Sequence, residues 1–429
     1  MLNKLLRLTQ KARGDRTLEP LLRSCRQLVS ERGQANVYAL AVEVIEEYRG
    51  LPAARREGFF AALATEFAPK PDAVLTAATR YAQSPDADAL ARLTEVVEPP
   101  RQELLRRINR APGGTSMLLA MRCDLLALLK NQPELAAVDA DFLHLLSSWF
   151  NPGFLRMEQV DWQSSAALLE KIIHHEAVHE ISGWNDLRRR LQPDRRCYAF
   201  FHPQLGDEPL IFVEVALVTE MADAIAPLIE SPPDASLAAK ANTAVFYSIS
   251  NCQPGLRGVS LGNFLIKKVA DQLKRELPQV KTFCTLSPVP GFTRWLSHVT
   301  DTEANTEWRA ALQRVKAWQQ AHTAAQPDDV KRMPKGLRED LVSLGARYLV
   351  EVSHASLGDP VARFHLDNGA RLERVNFAAD LSRKGIRQSL GLMVNYLYEI
   401  GSVEARHQQF VDNKVSHSAV VKRLLKTRS

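Results

Sequence analysis

The sequence predicts an α+β protein of two domains, an all-α N-terminal helical bundle over residues 1–148 and a mixed α/β domain over 149–429. Three observations carry this. Before residue 148 apolar residues recur at helical spacing, with no strand-like alternation. After it, short β-branched and aromatic runs alternate with amphipathic segments. All six tryptophans lie at position 149 or beyond, and the turn-forming Asn151-Pro152-Gly153 follows the first of them. A chain of 429 residues also suits two or three domains at roughly 150 residues each.

In the first half, ANVYALAVEVIEEYRG sets Val37, Leu40, Ala41, Val44, Ile45 and Tyr48 on one helical face. RQELLRRINR does the same with Leu104, Leu105 and Ile108, and stops at Pro112-Gly113-Gly114. SMLLAMRCDLLALLKN follows and stops before Pro133. Further breakers stand at Pro69/Pro71 and Pro99/Pro100. Short loops between amphipathic helices imply antiparallel packing, hence a bundle. No period of 20–50 residues marks a solenoid.

In the second half, RRCYAFFHP and PLIFVEVALV read as neighbouring strands joined by QLGDE. TAVFYSIS is a third strand. The loop NCQPGLRGVS, the amphipathic helix LGNFLIKKVADQLKREL and the strand QVKTFCTL follow, completing a βαβ unit with parallel strands and a right-handed crossover. Further helices are expected at about 304–322, 336–350 and 384–399.

Composition bounds the function. With 45% hydrophobic and 24% charged residues the chain fills a large core and excludes disorder as its dominant state. No run of 18 apolar residues predicts a transmembrane helix. The start, MLNKLLRLTQKARGDR, reads as no secretory signal and the end, KTRS, as no peroxisomal tripeptide. Cysteines at 25, 123, 197, 252 and 284 are odd in number and widely spaced. That points to a reducing cytoplasm and against a zinc ribbon or disulfide scaffold. The net charge of +6 reads as a solvated surface with a slight cationic excess. Lys414, Lys422, Arg423, Lys426 and Arg428 have no interleaved aromatics and form a solvated tail rather than a nucleic-acid groove.

Four constellations could carry chemistry. Gln253-Pro254-Gly255-Leu256-Arg257-Gly258 lies between a strand and a helix N-terminus. That placement aims backbone N–H groups and the positive helix end at one point and suits a diphosphate. The plain alternative is a glycine-containing turn. Ser287 stands where the next parallel strand ends, the edge at which open α/β sheets bind ligands; the alternative is a helix-capping serine. His365, in FHLDNGA, is the residue type suited to proton transfer near neutral pH. His175-Glu176-Ala177-Val178-His179 matches His-Glu-x-x-His on a predicted helix, where two histidines on one face could ligate zinc with Glu176 as base. No third ligand stands at the usual spacing, so a polar helix face is the plainer reading.

At these residues the chain resembles the malonyl-CoA decarboxylase family. Six blocks carry the resemblance in order: EAVHEISGWNDLRRRL, FFHPQLGDEPLIFVEVAL, AVFYSISNCQPGLRGVSLGNFLIKKV, TLSPVPGFTRWL, DPVARFHLDNGARLERVNFAADLSRKGI and GLMVNYLY. The resemblance implies a helical oligomerisation domain at 1–148 and a GNAT-like catalytic domain at 149–429. It implies a catalytic pair, Ser287 and His365, supported by Ser248 and Tyr398. The substrate-binding set it implies is Gln253, Gly255, Leu256, Arg257, Gly258, Ser260 and Asn368, the loop holding the diphosphate of coenzyme A. Ser260 stands where a glutamate is frequent, and Phe377 where a tryptophan is common. The implied reaction converts malonyl-CoA to acetyl-CoA and carbon dioxide with no metal or organic cofactor. A homotetramer built as a dimer of dimers is implied, with no nucleic-acid or membrane partner, in a bacterial cytoplasmic member. Competing classes are a coenzyme A-dependent acyltransferase of the same fold and a zinc peptidase through His175 and His179.

Overall fold

The computed structural model describes residues 18–259, 262–300 and 306–426. The segment read for N-terminal signals, Ser260 and Arg428 lie outside the described residues. The chain divides into two compact units. One comprises the chain up to Arg156 with Phe201–Pro209 and Gln253–Ser260; the other comprises Met157–Phe200, Leu210–Cys252 and the chain from Leu261 onward.

The first unit is helical: α1 Glu19–Ser30, α2 Gln34–Gly50, α3 Ala53–Thr65, α4 Pro71–Gln83, α5 Ala87–Val97, α6 Pro100–Asn109, α7 Gly114–Leu128 and α8 Ala136–Trp149. Pro71 and Pro100 open α4 and α6, where a missing N–H costs nothing and a fixed φ favours the first turn. Of the expected stripes, Ala41, Val44, Ile45 and Tyr48 on α2 and Leu104, Leu105 and Ile108 on α6 are buried, while Val37 and Leu40 are half-buried. Gly113, at φ 72°, supplies the left-handed turn between α6 and α7.

The 253–258 loop packs within this unit. The Gly255 carbonyl accepts from Arg122 Nη1 of α7 at 2.8 Å. A Cβ on Gly255 would lie 2.4 Å from the Leu119 carbonyl oxygen, so a bare backbone is required there for packing against α7.

The second unit is a mixed sheet with helices. Its strands among the described residues are β1 Arg156–Val160, β2 Arg195–Phe201, β3 Pro209–Val218, β4 Thr243–Asn251, β5 Thr282–Thr285, β6 Ser287–Pro288, β7 Arg371–Asn376 and β8 Met393–Leu397. The order is β1-β2-β3-β4-β5-β8-β6, with β7 also paired to β8. Its helices include α9 Ala166–His175, α10 Trp184–Arg190, α11 Gly262–Glu276, α12 Phe292–His298, α13 Thr306–Ala321, α14 Lys335–Glu351, α15 Pro360–Asp367 and α16 Arg383–Ser389. β4, α11 and β5 form the expected βαβ unit, with β4 and β5 parallel from Thr243↔Thr282 to Phe246↔Thr285. This is the mixed α/β architecture expected after residue 148.

The parallel pair then parts. Leu286 N still donates to Phe246 O at 3.0 Å. Beyond that point β4 continues against β3 as far as Asn251, while Ser287 pairs with Val394 of β8. The sheet therefore opens beside Ser287. Strand alternation decides what faces the opening. Val245, Tyr247, Cys284, Leu286, Met393 and Leu397 belong to one apolar cluster. Thr285, Ser287, Tyr396 and Tyr398 have the opposite parity and share the other face.

Two expected helices differ. The helix expected over 384–399 is α16, then β8. Leu390 adopts φ 54° and Gly391 φ 82°, which ends the helix, and Met-Val-Asn-Tyr-Leu pairs with β5, β6 and β7. The His-Glu-x-x-His helix stops at His175, with Glu176 already extended at φ −66°, ψ 105°. His175 and His179 therefore do not share a helical face, and the zinc arrangement has no scaffold. The helix expected over 304–322 runs Thr306–Ala321, positions 304 and 305 lying outside the described residues; that over 336–350 runs Lys335–Glu351.

Candidate active site

Three side chains meet on the open face of the sheet. Ser287 Oγ lies 3.0 Å from His365 Nε2, and His365 Nδ1 lies 2.8 Å from the Tyr398 hydroxyl. Each comes from a different element. β6 presents Ser287, and Pro288 holds it extended. His365 sits on the last turn of α15. Tyr398 follows β8, its backbone N–H bonded to Phe283 O of β5 at 2.9 Å.

The sequence of α15 explains its placement. Pro360 opens the helix and Asp359 caps it, its Oδ1 accepting from Val361 N at 2.9 Å and Ala362 N at 3.0 Å. Asp359 Oδ2 accepts from Gly291 N at 2.8 Å, which ties the start of the histidine helix to the turn after Ser287. At the other end Gly369 adopts φ 71°, and a Cβ there would lie 2.2 Å from Val403 O. Only glycine fits both constraints.

The group is dry. Ser287, His365 and Tyr398 are 5%, 3% and 7% exposed. Burial alone pushes the His365 imidazole down to about 3, so the ring is neutral at physiological pH. Burial likewise raises the Tyr398 phenol well above its ordinary value. The Tyr396 ring stacks on the imidazole at 4.6 Å and 28°, fixing its plane. Thr285 Oγ1 accepts from Ser287 Oγ at 2.9 Å and from Tyr396 N at 3.2 Å.

Ser248 bonds a carboxylate. Its hydroxyl donates to Glu176 Oε2 at 2.7 Å and Oε1 at 2.9 Å, and Ser250 Oγ donates to the same carboxylate at 3.2 Å. Glu176 Oε1 also accepts from Val178 N and His179 N, both at 2.8 Å. Glu176 thus organises a loop rather than acting beside a metal. His179 is buried, and desolvation first, with Arg190 and Lys384 adding, pushes it down to about 4 against the pull of Asp380. No group of three or more metal-ligating side chains occurs among the described residues.

The remaining site residues lie at the end of α15 and in the 253–258 loop. Asn368 ends α15; it is buried and its Nδ2 has no hydrogen-bond partner among the described residues. Gln253 Nε2 donates to Pro209 O at 3.1 Å, Leu256 is buried, and Arg257 and Gly258 are exposed. Sequence reading passed over Thr285, Tyr396 and Asp359. Thr285 was within reach, because position 285 shares the face of Ser287 in any strand. Tyr396 was hidden because its segment read as helix.

The same chain matches two family models. Residues 153–429 match the malonyl-CoA decarboxylase C-terminal domain, and residues 67–150 match the N-terminal domain. The chain belongs to the malonyl-CoA decarboxylase family. It is 33% identical over 405 residues to the mitochondrial malonyl-CoA decarboxylase of Anser anser anser, covering 87% of this chain and 80% of the relative. Among solved structures, the malonyl-CoA decarboxylase of Rhodopseudomonas palustris aligns with a TM-score of 0.87 at 46% identity, over 94% of this chain and 99% of that one. That of Agrobacterium vitis aligns at 0.83 and 45%, over 95% and 100%. Membership places the chain among the carboxy-lyases.

Proposed function

We propose that the protein decarboxylates malonyl-CoA to acetyl-CoA, with Ser287, His365 and Tyr398 as its proton-handling chain. The observation that supports this most is the buried, neutral Ser287–His365–Tyr398 chain at the point where the sheet opens. Loss of carbon dioxide leaves an electron pair delocalised over the thioester, which is itself the electron sink. The protein has two tasks: to stabilise charge developing on the thioester oxygen and to deliver a proton to carbon. A neutral imidazole bonded at both ring nitrogens does the second by giving a proton at one nitrogen as it takes one at the other. In this reading His365 supplies the proton through Ser287, and no metal or organic cofactor takes part. Coenzyme A is carried as part of the substrate, its diphosphate against the 253–258 loop. The donor of Asn368, which has no partner among the described residues, is free to meet substrate.

The test is carbon dioxide release from malonyl-CoA by EDTA-treated protein, with Ser287→Ala alongside. Metal-independent release in the wild type, reduced at least 10²-fold in the variant, is expected. No release, or release restored only by zinc, overturns the assignment.

The helical unit supports self-association, in line with a homotetramer assembled as a dimer of dimers. α4 and α5 each bury a single side chain, Ala77 and Ala89. Leu75, Leu90 and Val97 on the same two helices stay 68%, 47% and 46% exposed. Apolar area of this kind on a helix pair is covered by a second copy of the chain in this reading. Light scattering should give a tetramer for the wild type and a smaller species for Leu75→Glu/Leu90→Glu. Identical masses would remove α4 and α5 from the interface.

A further inference from the structure

We infer that Thr285 is a positioning residue: it fixes the tautomer of His365 and thereby makes Ser287 a proton donor rather than a nucleophile. The inference rests on the decarboxylase reading above for its catalytic consequence, but the tautomer itself does not.

Ser287 has one hydroxyl proton and two neighbours, Thr285 Oγ1 at 2.9 Å and His365 Nε2 at 3.0 Å. The hydroxyl donates to Thr285. The contact with His365 is then a hydrogen bond only if Nε2 carries hydrogen. Burial keeps the ring neutral, and a neutral imidazole has one N–H. Nδ1 is therefore bare, and its 2.8 Å contact requires the Tyr398 hydroxyl to donate. The chain runs Tyr398 O–H to Nδ1, Nε2–H to Ser287 Oγ, and Ser287 O–H to Thr285 Oγ1.

That polarity suits one chemistry. A serine nucleophile must donate to its histidine, so that attack transfers the proton to the ring. Here Ser287 is loaded in the opposite sense. As the carboxyl carbon–carbon bond breaks, the Ser287 proton leaves its hydrogen bond to Thr285 Oγ1 and the electron pair becomes a new C–H bond with it. Ser287 Oγ takes the Nε2 proton, Nδ1 takes the Tyr398 proton, and a proton from water restores Tyr398. No acyl-enzyme forms, which separates this site from a hydrolase or acyltransferase built on the same pair.

Thr285→Val keeps the side-chain shape and removes the acceptor. Ser287 then has only His365 to donate to, and the ring must carry its proton on Nδ1. In protein labelled with ¹⁵N-histidine, the His365 resonances are identified by their loss in His365→Asn. The wild type should show Nε2 protonated and Thr285→Val Nδ1 protonated. The variant should lose about 10²-fold in kcat at little-changed KM. Thr285→Ser, which restores the hydroxyl, should recover both the wild-type tautomer and most of kcat. A wild-type ring protonated on Nδ1, or a Thr285→Val ring still protonated on Nε2, overturns the inference. If Thr285→Val does not fold, the wild-type tautomer and the Thr285→Ser rate decide alone. A protein that releases no carbon dioxide yet shows the expected tautomers refutes the decarboxylase reading and not the role of Thr285.

Discussion

Replacing His365 by asparagine should lower kcat for decarboxylation by about 10²–10⁴ while leaving KM within a few-fold. Asparagine can place an N–H near Ser287 but cannot exchange protons between two ends of one ring. Binding of the coenzyme portion, proposed above for the 253–258 loop, should persist. A loss under tenfold would show that the ring positions substrate without handling its proton.

The pH dependence sharpens the test. An exposed histidine base would give a rate limb near 6.5. Burial moves His365 to about 3, so wild-type kcat should pass through pH 6.5 without a limb from this group. The same shift acts on stability. In the unfolded chain His365 binds its proton near 6.5, and in the folded protein only near 3, so the unfolded state holds more protons between those values. The folded-state advantage is complete above about 6.5 and is lost as pH falls toward 3. His365→Asn should thus lose less stability than wild type between pH 7 and 5, with His179, pushed down to about 4, retaining part of the acid sensitivity.

The placing of Ser287 and His365 shows how much of this was legible in the sequence. Helical spacing located the buried faces of α2 and α6, because a stripe such as Val44, Ile45 and Tyr48 has one partner geometry. The βαβ unit was legible because strand, loop, helix and strand each carry their own local signal. Ser287 and His365 were picked out by residue type and position, and Tyr398 through the block GLMVNYLY. Their meeting was not legible, since it depends on β8 being a strand. The helical reading of 384–399 had to fail for Tyr396 and Tyr398 to share a face with Thr285. The decisive signal there was the left-handed backbone at Leu390 and Gly391, which apolar periodicity does not report. The contact of Ser248 with Glu176 was not legible either, because the chain turns at His175 where helical spacing predicts a continued helix. The unit containing the 253–258 loop was also illegible, because the close fit of Gly255 on α7 joins segments more than a hundred residues apart.

The largest expected stability effect lies behind the sheet rather than at the site. Glu214 of β3 is fully buried, and its Oε2 accepts from Arg190 Nη1 of α10 at 3.0 Å. Arg190 is 1% exposed and also bonds Asp186 Oδ1 at 2.9 Å. Burial raises the Glu214 carboxyl, against the opposing pull of Arg190, to about 8. Its folded value lies above the unfolded one near 4.5, so its contribution is complete below 4.5 and is lost as pH rises through 8. Arg190→Met removes the charge that lets the carboxylate ionise at all. Near pH 6 Glu214 keeps its proton in both proteins, and the variant should lose little more than hydrogen bonds and packing. Near pH 9 the wild type holds a paired carboxylate, and the variant must bury an unpaired one or keep a proton the unfolded chain releases. There the retained proton should add about 1.4 kcal/mol, one pKa unit, to the loss seen near pH 6, on the order of a few °C in Tm. Arg190→Met/Glu214→Leu replaces both partners by apolar groups and should recover most of it, since a buried pair of opposite charges rarely outperforms good apolar packing. Thermal unfolding at the two pH values, for both variants, checks each step. A Tm deficit in Arg190→Met that is equal at pH 6 and pH 9 would mean that Glu214 is already ionised at the lower pH. The ion pair would then stabilise the fold across the whole range rather than only where the carboxyl has lost its proton.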